Sequence, residues 1–280
     1  MITIGIATVL ALLAQEDAVK GSTRGVRLQE LTWPEAEQVL TPDAVVVIPI
    51  GAAAKEHGPH LKLENDLLLA EYFSRRVLEK APVVVAPVVN YHFYPAFAEY
   101  PGSTSLRLET ARDLIVDIVK SLACFGPRRF YALNTGVSTV RALAPAAEQL
   151  ARDGILLEYT DLLKALAPIE KQVCEQEGGT HADEIETSML LYMSPGDVDM
   201  KKAVKDYRPG GGGLTRDPKA QGKVYSPTGV WGDATLATKE KGRVVTETLV
   251  EAILAEIEDL RKATPPSSSS GVVVTTPSVR

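Results

Sequence analysis

The apolar positions of this chain fall into two rhythms that alternate along it. Short continuous runs, "AVVVIPI" from Ala44 to Ile50 and "PVVVAPVV" from Pro82 to Val89, have the length and β-branched content of strands buried on both faces. Longer stretches with apolar residues at helical spacing follow, from Leu67 to Ala81, Leu108 to Gly126 and Ser138 to Gly154. "RRFYALN", ending at Asn134, and "ILLEY", ending at Tyr159, supply two more strands, and two helical stretches flank Gly178 and Gly179. Near the start, "LTWPEAEQVL" reads as a helix opened by Thr32 with Pro34 in its first turn, and Asp66 has the position of a cap for the helix after it. Strands alternating with amphipathic helices predict the α/β class: a mainly parallel sheet with right-handed crossovers, covered on both faces in three α/β/α layers. No repeat or linker divides the chain, so one domain over residues 24–263 is expected.

The two ends depart from this rhythm. "MITIGIATVLALLAQ" is apolar and then turns polar, as a short secretory signal over residues 1–14 would; at roughly 13 apolar residues it is too short to span a bilayer. It predicts an exported protein, periplasmic or secreted, whose mature form has no membrane partner. "TPPSSSSGVVVTTPSVR", residues 264–280, is rich in Ser, Pro and Thr and predicts a disordered tail.

Composition narrows the function classes. With 280 residues and 45% hydrophobic content the chain can bury the core of a large domain. Its formal net charge of −6 offers no basic field for phosphates, which argues against nucleic acid and leaves small molecules or peptides as partners. Cys124 and Cys174, both inside helical stretches, form neither a disulfide framework nor a zinc ribbon and read as buried structural thiols.

In an open parallel sheet the ligand site lies in the loops at the carboxyl ends of the strands. One such loop, "GAAAKEHGPHLKLEND" after Ile50, holds two of the four histidines, His57 and His60, among acids. "YHFYPAFAEYPGSTSL", with Tyr91, His92 and Tyr94, follows the second strand, and "NTGVST" follows Asn134. "GGTHADEIETSMLLYMSP" brings His181, Asp183, Glu184 and Glu186 to the start of a helix whose apolar face is Ile185, Met189 and Leu190. Histidine with carboxylate is how proteins hold a zinc-like or manganese-like ion that activates water. His57 and Asp66, nine apart across Gly58 and Pro59, suit a tight loop folded onto one ion, with a third ligand from elsewhere. The plainer alternative has His57 and His60 bonding backbone carbonyls. The tetraglycine Gly210 to Gly213 lacks the Gly-Lys-Ser/Thr ending of a phosphate loop and reads as a surface loop or lid.

Four motifs in order, "KEHGPHLKLEND", "YPGSTSL", "HADEIETSMLLYMSP" and "GVWGDATLATKEKG", resemble those of the creatininase family, and the likeness spans Ala44 to Gly242. The resemblance implies an α/β/α fold, a homo-oligomer that is often a hexamer, and metal-dependent hydrolysis of a small amide or cyclic amide, a carbon–nitrogen bond other than a peptide bond. It implies His57, Asp66 and Glu186 as metal ligands, His181 as proton shuttle, and Glu184 as a weaker catalytic assistant. Two positions depart from the family pattern. Lys55 stands where the family has a glutamate ligand of a second metal, and Gly136 stands where it has that metal's histidine. Both losses fall on one ion, so the pattern predicts a one-metal variant, with zinc first and manganese second as the ion, in which the Lys55 ammonium takes the lost ion's place beside Asp66. Glu56 is the other residue able to compensate. His60, Tyr94, Asn134 and Trp231 are expected to touch substrate or support the site. The alternative is an inactive homologue that binds a small molecule.

Overall fold

Every residue of β2 (Val45–Ile50) is buried, and the molecule is built outward from this strand. The computed structural model describes residues 23–269; the expected signal and most of the expected tail lie outside them. β2 pairs in parallel with β4 (Arg129–Asn134) along its whole length, Val45 opposite Arg129 and Ile50 opposite Asn134. β3 (Val84–Val85) lies on its other side, and β1 (Val26–Arg27) and β5 (Leu156–Tyr159) complete an all-parallel sheet in the order β1-β3-β2-β4-β5. The expected strand over 82–89 is therefore mostly not ladder. Pro82 and Pro87 lack the N–H that a strand must donate, and beyond Val85 only a bridge from Ile50 to Val89 remains.

Alternation along β2 and β4 assigns the layers, because successive side chains of a strand point to opposite faces. Val45, Val47, Tyr131 and Leu133 pack with α2 (Asn65–Lys80), α6 (Glu184–Met193) and α7 (Lys239–Lys262). Val46, Ile48, Phe130 and Ala132 pack with α3 (Leu108–Ala123) and α4 (Val140–Arg152) on the other face, which α1 (Trp33–Val39) also borders. α5 (Leu162–Val173) follows β5. The α1 boundary follows the expected chemistry, with Glu35 accepting from the Thr32 N–H at 2.7 Å and Pro34 in the first turn. Between α6 and α7 the chain forms two small two-stranded sheets, β6 (Lys205–Asp206) with β9 (Gly232–Asp233) and β7 (Leu214–Thr215) with β8 (Val224–Tyr225). Beyond α7, the Ser269 N–H bonds the Arg152 carbonyl at 2.9 Å. Among the described residues no helix is long and apolar enough to cross a membrane.

Candidate metal and catalytic site

The site is assembled where β2 ends and α2 and α6 begin. α2 starts at Asn65, so Asp66 is not its cap: it lies in the first turn, fully buried, and its carboxylate points into the site. Thr135, just past β4, holds the backbone there by donating to the carbonyls of Ile50 at 3.0 Å and Asp66 at 3.1 Å.

Asp66 has different neighbours at its two oxygens. Oδ1 lies 2.8 Å from His57 Nε2, whereas Oδ2 forms an ion pair with Lys55 Nζ at 2.8 Å. His57 donates from Nδ1 to the Lys55 carbonyl at 2.8 Å, which leaves Nε2 as the nitrogen facing the carboxylates. Glu186 Oε1 is 3.4 Å from that same Nε2. Burial and the Lys55 charge oppose protonation of His57, but Asp66 and Glu186 together overcome them and raise its pKa to about 9. Glu186 is itself held well below the usual carboxylate range, burial being outweighed by His57, His181 and Lys55.

Glu186 is fixed from three sides. Asn65 Nδ2 donates to Oε1 at 2.9 Å, the Ala182 N–H donates to Oε2 at 2.7 Å, and Asp183 caps α6 by accepting from the Ile185 and Glu186 N–H groups at 3.1 and 3.0 Å. Ala182 adopts a left-handed φ of 47°, a conformation that costs an L-residue energy and here aims its N–H at the carboxylate. His181 places Nδ1 3.7 Å from Glu186 Oε2. Its Nε2 lies 3.0 Å from the Glu56 carbonyl and 3.2 Å from the Glu56 carboxylate, and the Phe97 ring packs on it at 4.3 Å. A backbone bridge to Trp231 locks His181 in place, while the Trp231 indole N–H donates to the Arg208 carbonyl at 3.0 Å. The Glu56 carboxylate lies against Gly229, a left-handed residue at φ 83° whose missing Cβ leaves room for it.

The other expected residues are placed as follows. His60 is buried against the Thr187 hydroxyl at 2.8 Å, and desolvation lowers its pKa to about 4, so it is a neutral packing group. Tyr94 is buried with its ring 5.5 Å from Lys55 Nζ, and burial with the Asp66 charge pushes its phenol well above the usual range. Asn134 ties the loop after β4 together through Gly136 and Thr139 and does not face the cavity. Glu184 is not brought to the site either. Its fully buried carboxylate pairs with Lys241 at 2.5 Å and accepts from the Glu175 and Gln176 N–H groups, because it occupies the opposite side of the first turn of α6 from Glu186. Tyr91 is exposed and borders a separate groove with Leu114 and Ile118. Cys124 and Cys174 are free and only half-buried.

The donors fit a divalent cation. Among the described residues His57, His181 and Glu186 offer ligand atoms within 4.8 Å of one another, and Asp66 Oδ1 adjoins His57; such nitrogen and oxygen donors suit zinc or manganese. A cavity of about 790 Å³ opens from this cluster, with Lys55, His181 and Glu186 on its wall.

A three-layer parallel fold with a buried histidine–carboxylate cluster at the strand ends has the donor set a metal-dependent hydrolase of the α/β class uses. The creatinine amidohydrolase family model matches residues 29–257, and the chain belongs to the creatininase family. It is 29% identical over 257 residues to a creatinine amidohydrolase of Pseudomonas putida, covering 85% of this chain and 98% of that protein. It is also 29% identical over 234 residues to a mycofactocin precursor peptide peptidase of Mycobacterium tuberculosis, covering 79% and 88%. A solved structure described as a manganese creatininase superposes with a TM-score of 0.71 at 26% identity, covering 86% of this chain and all of that one. The chain is thus a hydrolase acting on carbon–nitrogen bonds.

Proposed function

We propose that the chain hydrolyses a small amide with a single divalent cation held by His57, Asp66 and Glu186, with zinc as the ion and manganese as the alternative. The observation that carries this reading is the asymmetry at Asp66. Oδ1 faces His57 Nε2, which Glu186 approaches from its other side, leaving donors open to a cation, whereas Oδ2 already faces the Lys55 ammonium. When bound, a divalent cation supplies a lowered pKa for water and polarises a carbonyl oxygen.

The chain's own residues supply the rest. The Nδ1–H bond of His57 to the Lys55 carbonyl fixes the tautomer that leaves Nε2 free, and Asn65 and the Ala182 N–H orient Glu186. His181 lies between Glu186 and Glu56, so a proton on it has a carboxylate on either side, and Phe97 shields it. In the net reaction the oxygen of water bonds the carbonyl carbon while the proton it gives up passes to His181, the carbon–nitrogen bond breaks, and His181 hands that proton to the departing nitrogen.

The retained His181–Glu56 pair favours catalysis over a binding-only homologue, whereas Lys55 in place of a second ion favours the latter. Turnover decides between them. Zinc-loaded protein is expected to hydrolyse simple amides, and His181→Gln is expected to keep its metal while losing roughly 10²–10⁴-fold in kcat. Loss of metal in that variant would make His181 a ligand, and no turnover of any amide by the parent would leave the binding protein.

A further inference from the structure

Resting on the amide-hydrolase reading, we infer that the substrate carries an extended apolar group, reaching about 10 Å from the scissile bond toward α5. The cavity of about 790 Å³ falls within the roughly 300–1,000 Å³ of pockets that enclose drug-sized ligands. A small polar cyclic amide would leave most of it to water. Away from the reacting cluster the walls are mainly apolar, with Phe73 of α2, Met189 of α6, and Leu162 and Leu166 of α5. Leu162 and Leu166 stay half-buried, and Val137 and Leu163 at the cavity are 43% and 45% exposed, so apolar surface there remains open to water.

Most charged groups on the wall have partners already; among the described residues the half-buried Glu170 of α5 is the exception. Lys55 is paired with Asp66 at 2.8 Å, Lys223 with Glu99 at 2.9 Å and Asp161 with Lys164 at 3.1 Å, while the Arg141 guanidinium lies over the Phe93 ring at 5.1 Å. Apart from Glu170, recognition beyond the reacting cluster therefore comes from apolar burial. The sheet order gives the direction. The reacting loop follows β2, α5 follows β5, and β4 lies between them, so the two exits are two strand spacings, about 10 Å, apart. The β4 loop between them presents Thr135, Val137 and Ser138 to the cavity.

The test is a ladder of amides against zinc-loaded protein: acetamide, butanamide, hexanamide and phenylbutanamide for an apolar acyl side, and N-methylformamide and N-hexylformamide for an apolar amine side. On one of the two sides kcat/KM is expected to rise about three- to fourfold per methylene, the equivalent of ~0.8 kcal/mol each. Leu166→Trp, which fills the cavity, and Leu162→Gln, which makes its wall polar, are both expected to flatten that dependence. A flat profile in the parent with measurable acetamide turnover overturns this inference and leaves the hydrolase reading standing. If no amide turns over, the hydrolase reading fails, and calorimetry of hexanoate and hexylamine against acetate and methylamine decides the pocket alone: tighter binding of a longer chain supports it, and equal binding overturns it.

Discussion

The two oxygens of Asp66 face two half-sites that resemble each other only in being buried. On the Oδ1 side, His57 and Glu186 present donors that a cation can use, each oriented by a partner behind it. On the Oδ2 side the space is filled with protein. Lys55 Nζ lies 2.8 Å from the carboxylate, with the rings of Phe97 and Tyr94 at 4.8 and 5.5 Å from it. Gly136 stands close by, and a Cβ there would meet Thr139 Cγ2 at 3.0 Å and Tyr94 Cε1 at 3.1 Å. The difference teaches that, on the proposed one-cation reading, more than ligand identity separates the two sides: the Lys55 ammonium supplies the charge beside Oδ2, and the Tyr94 ring occupies space next to Gly136.

The largest effect is expected from removing the cation on the filled side. Lys55→Ala leaves the buried Asp66 and Glu186 carboxylates with His57 as the cation between them, and breaking a buried pair in this way costs up to about 3–5 kcal/mol. Thermal denaturation of metal-free protein should show the melting point falling by about 10 °C, at the few degrees per kcal/mol typical of a domain this large. An unchanged melting point would mean that Lys55 is not neutralising Asp66. The open side responds differently: His57→Ala should weaken zinc binding by more than about 100-fold, beyond the loss from removing a supporting residue, with the circular dichroism spectrum retained. Equal metal content in parent and variant would remove His57 from the site.

How much of this was legible beforehand differs between the halves for a physical reason. Lys55 was placed beside Asp66 by the motif and by charge alone, since an ammonium near a buried carboxylate has few other stable positions. The layers were legible because continuous apolar strand runs alternate with amphipathic helices, and β2 and β4 do carry helices on both faces. Loop chemistry was not. Nothing periodic marks Phe97 as the ring on His181, although "YPAF" at the strand end could have flagged an aromatic wall. Glu184 looked catalytic because it lies two positions from Glu186 in sequence, but on a helix residues two apart point about 160° away from each other, and Lys241, far along the chain, claims it. The part played by Tyr94 beside Gly136 is a tertiary contact that no local pattern announces.

The smallest expected effect sharpens the comparison most. Restoring the family ligands with Lys55→Glu and Gly136→His should not by itself create a second cation site, because the introduced imidazole meets the Tyr94 ring. Metal content is expected to stay at the parent level in that double variant and to rise only when Tyr94→Ala is added. A rise in the double variant would show that the ring yields and that ligand identity alone closed the second site.

The most direct test of the central claim is a count of zinc per folded chain after loading with excess ion and removal of what is loosely held. A single buried histidine–carboxylate set predicts about one zinc per chain. Two per chain would contradict the account of Lys55 and Tyr94 as occupants of the second half-site, and none would contradict the reading of His57, Asp66 and Glu186 as a metal centre.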